Sequence, residues 1–114
     1  GETTVTLPAD ARGTGGRCQE LALSAARLLG AAGHEARGVT LLAAGTDGRD
    51  GPTDAAGAVV SAATWRCIGE AGVDAAAALA GHDAHTALGA AGALLRTGAT
   101  GTNVRDVVVG LVTL

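Results

Sequence analysis

The stretch "VTLLAAGTDGRDGPTDAAGAVV", Val39 to Val60, sets two apolar runs on either side of a loop made almost entirely of glycine, threonine and acid. Val39 to Ala44, bounded by Gly38 and Gly45, reads as a strand covered on both faces, because it lacks the polar alternation of a half-solvated strand. Gly57 to Val60 reads as a second, shorter strand. Between them lie Asp47, Asp50 and Asp54 among glycines. So much acid and so little bulk at the end of a buried strand calls for a reason.

Working outward from this core, Arg17 to Ala32 places Leu21, Ala25, Leu28, Leu29 and Ala32 on one helical face, with Gly33 as the stop. A glycine-rich loop, Gly13 to Gly16, precedes that helix, and Thr3 to Leu7 is β-rich. On the other side, Thr64 to Ala71 reads as a helix ended by Gly72. Asp74 and Asp83 are suited to cap helices over Ala75–Ala80 and Ala84–Ala90. Ala93 to Arg96 and "VVVGLVTL" at the C-terminus read as two more strands. Strands alternating with helices predict an α/β fold, a three-layer sandwich with a mainly parallel sheet. The last two strands, joined by a short segment, are expected to form an antiparallel pair at its edge.

The 114 residues are one domain's worth, and the chain is read as a single domain over 1–114. Eight Arg and no Lys stand against 11 acidic residues, a formal charge of −3 with no like-charge run, which argues against a nucleic-acid partner. No stretch approaches a membrane span and no basic-then-apolar leader is seen, so no membrane partner is expected and the expected setting is the cytoplasm. Trp65 is the sole aromatic residue, so the core must be built from small side chains in close contact. Cys18 and Cys67 stand far apart and read as two reduced thiols. The opening without Met, with a strand pattern almost at once, suggests a piece of something longer.

If the strands at 3–7, 39–44 and 93–96 run parallel, the loops that follow them emerge together, where open α/β sheets bind ligands. In the first loop Gly15, Gly16 and Arg17 offer helix N–H groups and a guanidinium to an anion, or make an ordinary turn with a solvated Arg. No Walker pattern and no dinucleotide fingerprint is present. In the second loop Asp47, Asp50 and Asp54 could hold Mg2+, accept a proton, or hydrogen-bond loop amides. Metal candidates are Asp47 and Asp50. Asp47 is expected to face a cleft, Asp54 to bind loop amides, and Asp50 to be the most exposed. In the third loop Thr100, Thr102 and Asn103, beside Gly98 and Gly101, could wrap phosphate or sugar oxygens, or form a hairpin that satisfies itself. His82 and His85 lack a third metal ligand nearby and read as solvent-facing residues around a helix start.

The series "GETTVT", "GGRCQELAL", "LLAAGTDGRDGPTDAAGAVV" and "TGATGTNVRDV" resembles the MOFRL domain, the C-terminal half of glycerate 2-kinases. The resemblance implies a two-domain enzyme that phosphorylates D-glycerate with ATP and Mg2+ in a cleft between a Rossmann-like N-terminal domain, missing here, and this one. Some relatives bear the name hydroxypyruvate reductase, which the lack of a dinucleotide motif does not support. A free-standing or truncated module without activity is the alternative. The family's "GGRNQE" corresponds to Gly15, Gly16, Arg17, Cys18, Gln19 and Glu20, with Cys in place of Asn. "GTDGxDGPTDAAGA" is intact from Gly45 to Ala58, including Thr46. Thr100, Gly101, Thr102, Asn103 and Asp106 are kept from the third motif, and of "NDSY" only Asp83. By resemblance Arg17 and Asp47 are expected to be catalytic. Gly15, Gly16, Gln19, Glu20, Thr46, Thr100, Gly101, Thr102 and Asn103 are expected to line the substrate and phosphate site.

Overall fold

Helix α1 spans Arg17–Ala32, as the periodicity predicts, and ends where the Gly33 N–H bonds to the Leu29 carbonyl. A single 3-10 turn (Gly33–Ala36) leads into strand β1 (Val39–Gly45). Strand β2 (Gly57–Ser61) and helices α2 (Thr64–Glu70), α3 (Ala75–Ala80) and α4 (Ala84–Ala90) follow, then strands β3 (Leu94–Leu95) and β4 (Asp106–Val112). The computed structural model describes residues 13–113, so the strand expected at Thr3 to Leu7 lies outside the described residues. Asp74 caps α3 as predicted, accepting from the Ala77 N–H at 3.0 Å.

The sheet departs from expectation. Its order is β3-β2-β1-β4, and among the described residues every pairing is antiparallel. The cause lies in the connection after β1, which carries no helix, whereas a parallel neighbour requires a crossover that usually does. Nor are β3 and β4 an edge pair, because they occupy opposite edges of the sheet. Three strand spacings, about 14 Å, separate them, a gap that residues 96–105 span across the sheet's end. The three-layer arrangement is not seen among the described residues either. The buried residues of all four helices join one cluster with Leu41, Ala43, Ala58 and Val60, which lie on a single face of the sheet.

The helix face also differs by about one residue of rotation. Cys18, Ala22, Leu23 and Ala26 are buried, Leu21, Ala25 and Leu29 flank them, and Leu28 is 72% exposed. A line of mainly small side chains lets α1 approach the alanines of β1 and β2 closely, as a core without bulky residues requires. Trp65 packs beside this cluster under the Arg27 guanidinium, 5.6 Å from the ring centre. No described helix is long and apolar enough to cross a membrane.

Candidate functional site

Alternating antiparallel pairs make β1 and β3 run in the same direction with β2 between them. The loops after β1 (46–56) and β3 (96–105) therefore leave the same edge, as a parallel sheet would have placed them. The first loop, 13–16, arrives there by a tertiary contact. Helix α1 begins at Gly16, which has no side chain to cap the first free N–H groups. The acceptor comes from Asp50, whose Oδ1 takes the Cys18 N–H at 3.0 Å and Oδ2 the Gln19 N–H at 2.8 Å. A Cβ at Gly16 would collide with the Asp50 carboxyl group, so the close approach requires glycine.

Asp50 is thus 3% exposed rather than the most exposed of the three, and a negative charge at a helix N-terminus is itself favourable. Buried Gln19 completes the staple. Its Nε2 donates to Thr53 Oγ1 at 2.9 Å, and Thr53 Oγ1 donates to the Asp50 carbonyl at 2.8 Å. Both oxygens of Asp50 are engaged in capping. No three His, Cys, Asp or Glu side chains are grouped to hold a metal among the described residues.

Arg17, in the first turn of α1, makes a two-pronged bond to the first residue of β4. Nε donates to Asp106 Oδ2 at 2.7 Å and Nη2 to Oδ1 at 3.0 Å. The Asp106 side chain is 4% exposed and that of Arg17 is 38% exposed, so the pair ties a buried carboxylate to a guanidinium that still meets solvent. Burial, then the charges of Asp50 and Asp106, pushes the Cys18 thiol up to about 12, with a side-chain hydrogen bond to Asp106 acting in the same direction. Cys18 is a buried, protonated thiol and Cys67 a half-buried free one.

The second and third loops are laced together through their backbones. Thr46 N–H and Oγ1 both donate to the Arg105 carbonyl, at 2.9 and 2.7 Å. Thr46 Oγ1 accepts the Val104 N–H, and Thr100 Oγ1 donates to the Thr46 carbonyl at 2.5 Å. Asn103 Oδ1 accepts the Arg105 N–H. Thr46, Thr100 and Asn103 therefore shape the loop, while the Thr102 side chain makes no hydrogen bond among the described residues. Gly101 is exposed beside them. The Asp47 side chain is exposed and, among the described residues, accepts only the Arg49 N–H on Oδ1.

Asp54 is not a binder of loop amides. It stands exposed, its carboxylate bonded to Arg96 Nε at 2.9 Å, and this bond holds its pKa below the ordinary value. The histidines are not solvent-facing either. His82 Nδ1 lies 2.5 Å from Glu20 Oε1, and His85 Nδ1 lies 3.0 Å from Gln19 Oε1, both rings being about three-quarters buried. Asp83 joins Thr14 N–H to the start of α4 at 2.8 Å, so the glycine-rich loop is fixed at both ends. Gln19 is fully buried and Glu20 largely so, and their side chains bond to Thr53, His85 and His82 within the fold.

Sequence reasoning overlooked Thr53 and left Asp106 as a matched letter without a role. The available signal was the glycine at the α1 N-cap, which obliges an acceptor to come from elsewhere in the chain. The assembled edge offers partly exposed Arg17, glycine-rich backbone, the exposed carboxylate of Asp47 and the Thr102 hydroxyl. The Cys18 and Gln19 N–H groups at the helix start, read from the sequence as open to an anion, are taken by Asp50, which leaves the half-exposed Arg17 guanidinium as the group of that first turn that can meet one.

Comparison with known proteins gives a match of the MOFRL family model to residues 1–106. The chain is 50% identical over 112 residues to D-glycerate 2-kinase of Thermotoga maritima, covering 98% of this chain and 25% of that protein. It is 46% identical over 113 residues to glycerate 2-kinase of Pyrococcus horikoshii, covering 99% of this chain and 24% of that protein. A crystal structure of glycerate kinase from Thermotoga maritima superimposes with a TM-score of 0.89 at 49% identity, over 99% of this chain and 26% of that one. The chain spans about a quarter of the length of the curated relatives it matches.

Proposed function

Given that the chain belongs to the MOFRL family, we propose that it forms the C-terminal part of a glycerate 2-kinase, transferring the ATP γ-phosphoryl group to a hydroxyl of D-glycerate. The missing N-terminal domain would supply the opposite wall of the cleft, and the expected cytoplasmic setting goes with this reading. The names of the relatives support the activity. The observation that carries the assignment to this edge is the convergence of three loops, stapled by Asp50 and by the Arg17–Asp106 pair.

Phosphoryl transfer asks a protein mainly for positioning and for neutralisation of spread charge. Arg17 is permanently cationic and is held at a helix start, where it can meet a carboxylate or a transferring phosphoryl group. The loop from Gly15 and the loop bearing Gly101 and Thr102 would present backbone and a hydroxyl to the same ligand. Mg2+ bound with a nucleotide needs only one or two carboxylates beside phosphates and water, and exposed Asp47 suits that role. The ion would neutralise phosphate charge there.

The test uses a full-length enzyme carrying this domain. Arg17→Ala should lose on the order of 10²-fold or more in ATP-dependent phosphorylation of D-glycerate, with Lys restoring only part. Asp47→Asn should lower turnover while leaving the melting temperature unchanged. Near-normal turnover in both variants would remove the assignment.

A further inference from the structure

Within the kinase reading just given, on which this rests, we infer that Asp106 is a positioning residue that fixes the plane of the Arg17 guanidinium. The carboxylate is almost fully buried, stands at the first position of β4, and faces Gly45 of β1 in register. Its place is therefore set by the sheet. Both oxygens take part in the fork to Nε and Nη2, at 2.7 and 3.0 Å.

A single hydrogen bond would let the guanidinium swing about it. Two parallel bonds from a planar fork fix the orientation as well as the position. Helix α1 carries the arginine and β4 carries its orienting partner, eighty-nine positions apart in sequence. The helix start is itself pinned by Asp50. The two carboxylates divide the work. Asp50 locates the helix end, and Asp106 aims the one permanent cation of its first turn.

Asp106 differs from the partner in a merely structural ion pair in that its effect on turnover must pass through Arg17. In the full-length enzyme Asp106→Asn should reduce kcat for D-glycerate phosphorylation by about tenfold or more, as misplacement of a charge-stabilising group does. In an Arg17→Ala background the same change should cost less than about twofold, since non-additivity marks a shared action. Exchange of the Arg17 Nε–H with solvent, followed by NMR, should be slow in the wild type and at least about tenfold faster in Asp106→Asn.

Unchanged kcat in Asp106→Asn, or equal losses in the two backgrounds, would overturn the positioning role. Full turnover in Arg17→Ala would overturn it together with the role of Arg17, leaving the kinase activity standing. An enzyme that phosphorylates no glycerate would sink the kinase reading alone. The Nε–H exchange then decides for Asp106, and equal exchange in both proteins refutes the fixing of the fork.

Discussion

Replacing Asp50 by Asn should cost this chain about 3 kcal/mol of stability, although the side chain loses only its charge and one acceptor. The carboxylate takes two helix N–H groups, at 3.0 and 2.8 Å, and hydrogen bonds to a charged partner contribute about 1.5–3 kcal/mol each. Asn keeps one acceptor oxygen, so one bond survives in a weaker neutral form. The other oxygen becomes an NH2 group directed at a second donor, leaving a buried N–H unsatisfied at about 1–3 kcal/mol. The favourable charge at the helix start, about 0.3–1 kcal/mol, is lost as well. These terms overlap, which is why the total is set near 3 rather than at their sum.

Helix α1 supplies Cys18, Ala22, Leu23 and Ala26 to the core, so loosening its first turn should lower the global unfolding midpoint. For a domain of this size the shift is about 10 °C or more. Thermal and urea unfolding of the chain, followed by far-UV circular dichroism, measures it. Asp54→Asn is the control, because its partner Arg96 is exposed and the midpoint should hold. If Asp50→Asn and Asp54→Asn melt together, capping across the fold is refuted.

Alkaline pH should expose the buried thiol. With Cys18 raised from 9.0 to about 12, the unfolded chain releases that proton first, so stability is full below pH 9 and falls between 9 and 12. The loss approaches ~4 kcal/mol. The chain has no Lys or Tyr to mask it, and Cys18→Ala should abolish the slope of urea midpoint against pH. Gly48 has φ +89°, and a Cβ there would strike the Gly98 carbonyl oxygen. Gly48→Ala should therefore destabilise by about 2 kcal/mol or more in the same unfolding assay, whereas Gly98→Ala, at φ +69° with open space around it, should cost only about 1. Equal costs would show that the two loops do not meet there.

The sequence by itself determined the local elements. Helix α1 over Arg17–Ala32, strand β1 from Val39, and α3 behind the Asp74 cap follow from periodicity and from residues within a turn of each other. It also located the three loops of the candidate site, because glycine, threonine and aspartate cluster wherever the backbone must turn. Strand direction was beyond it, since β1 reads the same whether its neighbour runs parallel or antiparallel. So was the buried face of α1, where Cys18, Ala22, Leu23 and Ala26 pack into the core while Leu28 is exposed. The fates of the aspartates were the least legible of all. Asp50 at a helix start, Asp54 beside Arg96 and Asp106 under Arg17 are one side chain in three environments. A charge states what it can bind, and only the tertiary structure, through desolvation and the geometry of distant partners, decides what it does bind.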